Sequence, residues 1–312
     1  MKELVKKITL RPVNFLNYLF FNTYFWYMRK WYRLLPMEKL QGQKILVVVP
    51  HVDDEIIGLG GLFFELVKKN NSIKCLYVTN GAGSFHPQLT REKLIELREK
   101  EGRQVARYYG LEPPLFLELE DGAVELTATA VEKVKAELCF FRPQVVFLPY
   151  FLDGHRDHMA TALLGLAALE KGNFGEDFPL YFYQTSSPFT CFAANRYFPL
   201  KEEFEGKKKA LEIFKSQTIP FCGLLMLDNC RRKAIIGGNL TEGKIRGAEF
   251  FLRGNLAACK EFLKNYNINI NAAQQVRPMS SPFFLIRDYF SGWKLKKKIG
   301  RMLPEKPDHI QN

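Results

Sequence analysis

Two short runs, KILVVVP at 44–50 and PQVVFLPY at 143–150, break from the usual alternation of apolar and polar positions. Both are rich in β-branched or aromatic residues. Such unbroken apolar runs are the pattern of strands buried on both faces of a parallel sheet. SIKCLYVTNG (72–81), PLFLEL (114–119) and PLYFYQ (179–184) predict three further strands. Between the strands the apolar spacing becomes helical. Helices are predicted over 56–69, 90–109, 128–140 and 155–170. In the second of these, Leu94, Leu97, Val105 and Tyr108 lie near helical spacing and Gly110 supplies the stop. A further helix is predicted over 205–217, while 243–254 mixes turn signals with those of a short strand or helix. Strand and helix alternate, so the expected fold is α/β: an open, mostly parallel sheet with right-handed crossovers. Sheets of this kind bind ligands beyond the carboxyl ends of their strands.

Charge changes the picture at the two ends. The formal net charge is +12 over 312 residues, yet residues 1–44 carry +7 and residues 287–312 carry +4. The middle of the chain is therefore close to neutral, and a nucleic-acid-binding core is not expected. Residues 11–36 crowd Phe, Tyr and Trp beside Arg29, Lys30 and Arg33. The uncharged stretch between Arg11 and Arg29 is at the lower limit of a spanning length and contains Asn14, Asn17, Asn22 and Thr23. It predicts a helix lying on a membrane surface, with a helix packed on the domain and a true span as alternatives. No small-residue cleavage site follows, so a signal peptide is not expected. Residues 283–304 again interleave apolar residues, Trp293 among them, with Lys294, Lys296, Lys297, Lys298 and Arg301. That is a second candidate for an anionic surface, or else a solvated tail. The expected division is an extension at 1–41, one domain at 42–285 and a basic tail at 286–312. Six cysteines without a C-x-x-C pair predict reduced thiols in a cytoplasmic setting, with the membrane face as a peripheral location.

The candidate chemistry follows the two buried runs. PHVDDE places His51, Asp53, Asp54 and Glu55 directly after the first run, and DGHRDH places Asp153, His155, Asp157 and His158 after the second. His51 and Asp54 are three residues apart and can converge on one point in a tight turn. Imidazole and carboxylate are ordinary zinc ligands. A helix N-terminus accounts for Asp53 to Glu55 but not for His51, and a capped loop accounts for the second cluster alone. Their coincidence after two buried strands favours a metal site. No dinucleotide fingerprint, phosphate-binding loop or G-x-S-x-G elbow is present to offer another chemistry.

P-H-x-D-D-E after a strand, followed about a hundred residues later by D-G-H-x-D-H, resembles the LmbE/PIG-L family of zinc-dependent N-acetylglucosamine deacetylases. VTNGAGS at 78–84, Arg98 and Glu101 as R-x-x-E, Asp121-Gly122, KALEIFKSQ at 209–217 and AEFF at 248–251 resemble further blocks of that family. The resemblance spans roughly 42–255 and implies a Rossmann-like sheet with helices on both faces. It implies that His51, Asp54 and His158 bind zinc, that Asp53 is the general base, that His155 stabilises the oxyanion or protonates the leaving amine, and that Asp157 orients a histidine. Ferrous iron suits the same ligands. Val52 and Arg156 stand where the family commonly has proline. Arg98 and Arg156 are candidate substrate contacts, against a helix pair of Arg98 with Glu101 and a solvated Arg156. The implied substrate is an N-acetylated amino sugar, lipid-linked or near a membrane in view of the two basic ends. Alternatives are a small soluble GlcNAc conjugate, another N-acyl substrate, or a membrane-associated binding protein with a vestigial site.

Overall fold

A computed structural model describes residues 2–32, 34–83, 88–190, 193–217, 221–235, 244–266, 276–279 and 281–299. In chain order the elements are α1 (Lys2–Met28), β1 (Leu35–Pro36), β2 (Lys44–Val49), α2 (Asp54–Leu59), α3 (Leu62–Lys68), β3 (Ser72–Thr79), α4 (Arg91–Tyr109), β4 (Leu115–Leu119), α5 (Ala128–Phe141) and β5 (Val145–Pro149). They continue with α6 (Arg156–Lys171), β6 (Pro179–Tyr183), β7 (Arg196–Leu200), α7 (Glu203–Leu211), α8 (Cys222–Ile235), β8 (Gly247–Asn255), α9 (Leu256–Tyr266), α10 (Leu285–Tyr289) and α11 (Trp293–Ile299).

The strands form one sheet in the order β1-β7-β8-β6-β5-β2-β3-β4. β2 pairs in parallel with both β3 and β5, with Ile45 opposite Val145 and Val47 opposite Phe147. The two buried runs are thus direct neighbours, and their carboxyl ends open at the same edge. Chain order leaves β2 towards β3 on one side and returns to β5 on the other, so this edge is the topological switch point of the sheet.

The unbroken apolar pattern follows from burial on both faces. Ile45, Val47 and Val49 point into one core with α2, α3, α4 and α7, while Leu46 and Val48 point into the other with α5, α6 and α8. Thr90 caps α4, and Gly110 ends it in the left-handed conformation at φ +75°.

Three elements differ from the sequence pattern. The helix predicted over 56–69 is broken into α2 and α3 because the Glu249 carboxylate accepts hydrogen bonds from the backbone N–H groups of Gly61 and Leu62, at 2.8 and 2.9 Å. A distant side chain thus supplies a helix start in mid-pattern. The helix predicted over 205–217 ends at Leu211, and the chain turns so that Ser216 donates from N and Oγ to Glu101. The mixed segment 243–254 contributes β8, antiparallel to both β6 and β7. β1 and β7 carry no strand signal strong enough to predict.

The terminal segments pack on this body. Asn17, Phe21 and Phe25 of α1 are buried, and Asn17 donates its amide N–H to the Pro282 carbonyl at 2.7 Å. Phe21 and Phe25 meet Tyr289 of α10 in edge contacts. Among the described residues no helix is long and apolar enough to cross a membrane. Of the described cysteines, Cys75, Cys230 and Cys259 are buried, Cys139 and Cys222 are exposed, and all five are free thiols. Arg33, His86, Cys191, His309 and the tail beyond Ile299 lie outside the described residues.

Candidate metal centre

The turn between β2 and α2 carries His51 to Glu55, and the turn between β5 and α6 carries Asp153 to His158. His51 Nδ1 lies 3.2 Å from Asp54 Oδ2 and 3.2 Å from His158 Nε2, and His158 Nε2 lies 3.3 Å from Asp54 Oδ2. Three donors held by one tetrahedral ion at about 2.0 to 2.2 Å would be separated by roughly 3.3 to 3.5 Å. The triangle therefore has the size that a zinc-like ion requires, and its two imidazoles and one carboxylate are suitable donors. Two further groupings share its residues: His51 with His155 and His158, and His51 with Asp121 and Asp157. The triangle is the better cradle because all three of its donor separations, 3.2, 3.2 and 3.3 Å, match that spacing.

Each of these side chains is held from behind. Asp157 Oδ2 lies 3.3 Å from His51 Nε2 and accepts from Gly122 N at 2.6 Å, while Asp157 Oδ1 accepts from Val124 N at 3.2 Å. Asp121 Oδ1 lies 3.2 Å from His51 Nε2 on the same side. His158 Nδ1 lies 3.1 Å from Asp153 Oδ1. Asp153 in turn accepts from His155 N, Thr185 Oγ1, Ser186 Oγ and Ser187 N at 2.6 to 2.8 Å. Carboxylates hydrogen-bonded behind imidazole ligands fix ring orientation and tautomer. Gly154 allows this loop to close, since a Cβ there would stand 2.4 Å from the backbone nitrogen of Pro278.

The three acids of the first motif have three different settings. Asp54 points into the triangle. Although burial opposes its charge, His158 and His51 hold its carboxyl well below the usual range. Glu55 points away into the core, accepting from Tyr77 Oη at 2.8 Å and from Asp53 N at 3.0 Å. Asp53 sits between them at φ 139°, a conformation that costs a non-glycine residue about 1–3 kcal/mol and that the surroundings must impose. Its backbone carbonyl accepts from Ile56 N and Ile57 N, and its carboxylate receives the Gln217 side-chain amide, with Arg98 Nη1 at 3.5 Å. Burial and the Asp54 charge push the Asp53 carboxyl up to about 6, against the pull of Arg98, Gln217 and His51.

His155 caps α6, with Nδ1 accepting from Asp157 N at 3.3 Å, which leaves the ring proton on Nε2. Burial, reinforced by the neighbouring His158 and His51, pulls His155 down to about 4, so it is neutral near pH 7. His158 behaves in the opposite way. Burial alone would lower it, but Asp54 and Asp153 carry it up to about 10.

The structure thus brings His51, Asp53, Asp54, His155, Asp157 and His158 to one cleft. It separates the two arginines. Arg98 is buried and donates to the Val52 carbonyl at 2.8 Å, behind Asp53 and away from open solvent. Glu101 accepts from Ser216 N and Oγ. Arg156 is 56% exposed and lies 3.7 Å from Glu125. Sequence reasoning did not assign site roles to Gln217, Asp121 or Asp153. KALEIFKSQ and Asp121-Gly122 were legible only as blocks of resemblance, and Asp153 only as a member of the second motif without a role of its own.

Residues 46–169 match the family model described as GlcNAc-PI de-N-acetylase, PIG-L. A diacetylchitobiose deacetylase of Thermococcus kodakarensis is 28% identical over 133 residues, which is 41% of this chain and 49% of that relative, so the match spans about half the relative's length. The N,N'-diacetylchitobiose deacetylase of Pyrococcus horikoshii superposes with TM-score 0.59 at 20% identity, over 69% of this chain and 84% of that one. The conserved protein TT1542 of Thermus thermophilus superposes with TM-score 0.55 at 28% identity, over 67% of this chain and 94% of that one. The matched segment contains both turns of the metal centre, so the part of the chain that carries the candidate site is the part that matches the PIG-L (LmbE-like) family model.

Proposed function

We propose that this protein hydrolyses the N-acetyl amide of a GlcNAc-containing substrate with the help of a divalent metal, zinc being the first choice. The observation that carries the reading is the triangle of His51 Nδ1, Asp54 Oδ2 and His158 Nε2 with a further carboxylate, Asp53, beside it. These three residues would hold the ion. A zinc ion at such a site supplies Lewis acidity, which makes water a stronger acid and polarises an amide carbonyl.

The remaining work falls to side chains. Asp53, with a carboxyl near 6, is ionised at neutral pH and basic enough to take a proton from the attacking water. Gln217 and Arg98 hold that carboxylate in place. His155 carries its proton on Nε2 and can donate a hydrogen bond to the developing oxyanion or pass the proton to the leaving amine. Asp157 and Asp153 fix the rings of His51 and His158.

The finer reading is that the sugar is lipid-linked or presented at a membrane. It is supported by the position of the segment after Val276. Pro278 packs on Gly154 of the site loop, and the Pro282 carbonyl accepts from Asn17 of the aromatic helix α1. A small soluble GlcNAc conjugate is the competing substrate. Metal-loaded protein should release amine from GlcNAc-containing substrates, and Asp53→Ala should slow release about 10³-fold while metal content is unchanged. Relative turnover of soluble and lipid-linked substrates decides between the two classes. Amine release unaffected by Asp53→Ala, or no metal bound by folded protein, would sink the reading.

A further inference from the structure

Helix α1 has two apolar faces, and only one of them is used. Asn17, Phe21 and Phe25 are buried against the body. On the opposite side Phe15, Leu16, Leu19, Phe20, Trp26 and Tyr27 are each between 37% and 64% exposed. A helix docked on a globular body normally turns charged residues outward, and one that is apolar all round is normally covered. The outward row continues into Trp31 and, through the contact of Asn17 with Pro282, lies beside exposed Phe283 and Phe284. Contiguous exposed apolar surface of this kind marks an interaction site.

Charge identifies what covers it. No Asp or Glu occurs between Glu3 and Glu38. Cations lie directly on the exposed rings: Arg29 5.3 Å from the Trp26 centroid, Lys30 5.4 and 5.5 Å from those of Tyr27 and Trp31, and Arg287 4.3 Å from that of Phe284. Arg232 of α8 reaches the Tyr18 hydroxyl from the flank. At the end of the row a groove of about 510 Å³ opens between Arg29, Lys30, Tyr32, Tyr197 and Ile235. A second copy is a poor occupant. Parallel pairing of two such helices would bring Arg29 and Lys30 onto their own copies, antiparallel pairing would bring them onto Arg11, and no carboxylate on the helix face relieves either. A lipid surface suits every feature. Trp, Tyr and Phe seat at the boundary between headgroups and chains, and Lys and Arg reach back to anionic headgroups.

We propose that the outer face of α1, with Trp31, Phe283 and Phe284, is a docking surface for an anionic phospholipid bilayer, which it binds without spanning. The surface is independent of the deacetylase reading, although it would bring the cleft close to a membrane-borne substrate.

The test is flotation of the full-length protein with vesicles of phosphatidylcholine alone and of phosphatidylcholine mixed with phosphatidylglycerol, at low and high salt. Binding is expected to the mixed vesicles, to weaken with salt, and to be far weaker to neutral ones. The pair Leu19→Ser and Trp26→Ser should remove binding. Arg29→Gln and Lys30→Gln should each weaken it about fivefold, and these exposed cations provide a second set of variants should the serine pair fail to fold. Activity on a soluble GlcNAc substrate should be unchanged in all of them, so loss of binding is read separately from loss of chemistry. No binding to the mixed vesicles, equal binding to both kinds, or self-association that the serine pair abolishes in a chain that ignores vesicles would each overturn the proposal.

Discussion

The metal centre and the outer face of α1 break the ordinary rule of burial in opposite directions. At the ends of β2 and β5, carboxylates and imidazoles are buried, and nearly every polar atom is met by a partner from another element. On α1, aromatic and aliphatic side chains are left in solvent with cations over their rings. Buried polar groups and exposed apolar patches are the informative departures in a folded protein, because each is costly unless something meets it. In the cleft the protein itself supplies the partners. On the helix the partner must come from outside.

The largest expected effect sharpens the cleft side of this comparison. Asp53→Ala should lower kcat by about 10³-fold, within the range for loss of a general base, with metal content by atomic absorption unchanged. Asp54→Ala or His158→Ala should instead lose the metal, so the two kinds of variant separate base from ligand.

The next prediction sets the two faces of α1 against each other. Phe21→Ala removes a fully buried ring and should destabilise the fold by about 3–5 kcal/mol in denaturant titration. Trp26→Ala, five residues on and facing outward, should stay within about 0.5 kcal/mol. Equal effects would mean that both faces are packed. The contrast also makes point substitution a better probe than removal of residues 1–40, which would delete the buried Phe21, Phe25, Tyr32 and Leu40 together and expose the apolar surface they cover.

A buried cation near the second basic end gives a pH-dependent prediction. Burial pulls Lys296 down to about 8 from its ordinary 10.5. The unfolded chain then binds more protons between pH 8 and 10.5, so stability rises with pH across that window, and the penalty is fully present below pH 8. Lys296→Met should therefore stabilise the protein at pH 7 by on the order of 3 kcal/mol, at about 1.4 kcal/mol per pKa unit, and the advantage should shrink as pH rises towards 10.5. Melting curves at several pH values check it.

The smallest effect concerns support from behind. Asp153→Asn keeps the shape but weakens the charge behind His158, and should lower metal affinity about 10- to 100-fold in a chelator competition. An unchanged affinity would show that His158 is oriented by packing alone.

Much of the cleft was legible in the chain. Unbroken runs such as 45–49 and 145–149 report burial on both faces, and residues directly after such strands must emerge at one edge of the sheet. The two motifs could therefore be read as facing one cleft once their strands are neighbours, whereas the choice of His51, Asp54 and His158 as the ligands came from the family resemblance. Asp121 and Gln217 could not be assigned in the same way. Each reaches the site from a turn remote in sequence, with Gln217 held by Glu101 through Ser216, and no local pattern encodes such a meeting. Arg98 had the right sequence neighbours, but the fold turned it inward to the Val52 carbonyl and Asp53.

The sequence by itself determined the strand and helix alternation, the two motifs at strand ends and the basic, aromatic character of the termini, because these depend on spacing and composition along a local stretch. Tertiary structure alone decided where Glu249 would divide one helical pattern into α2 and α3, that β8 would enter the sheet antiparallel, and which face of α1 would be covered. Those outcomes depend on which distant groups arrive at a position, and a helix with large apolar residues on both sides carries no local signal of which side will meet the protein.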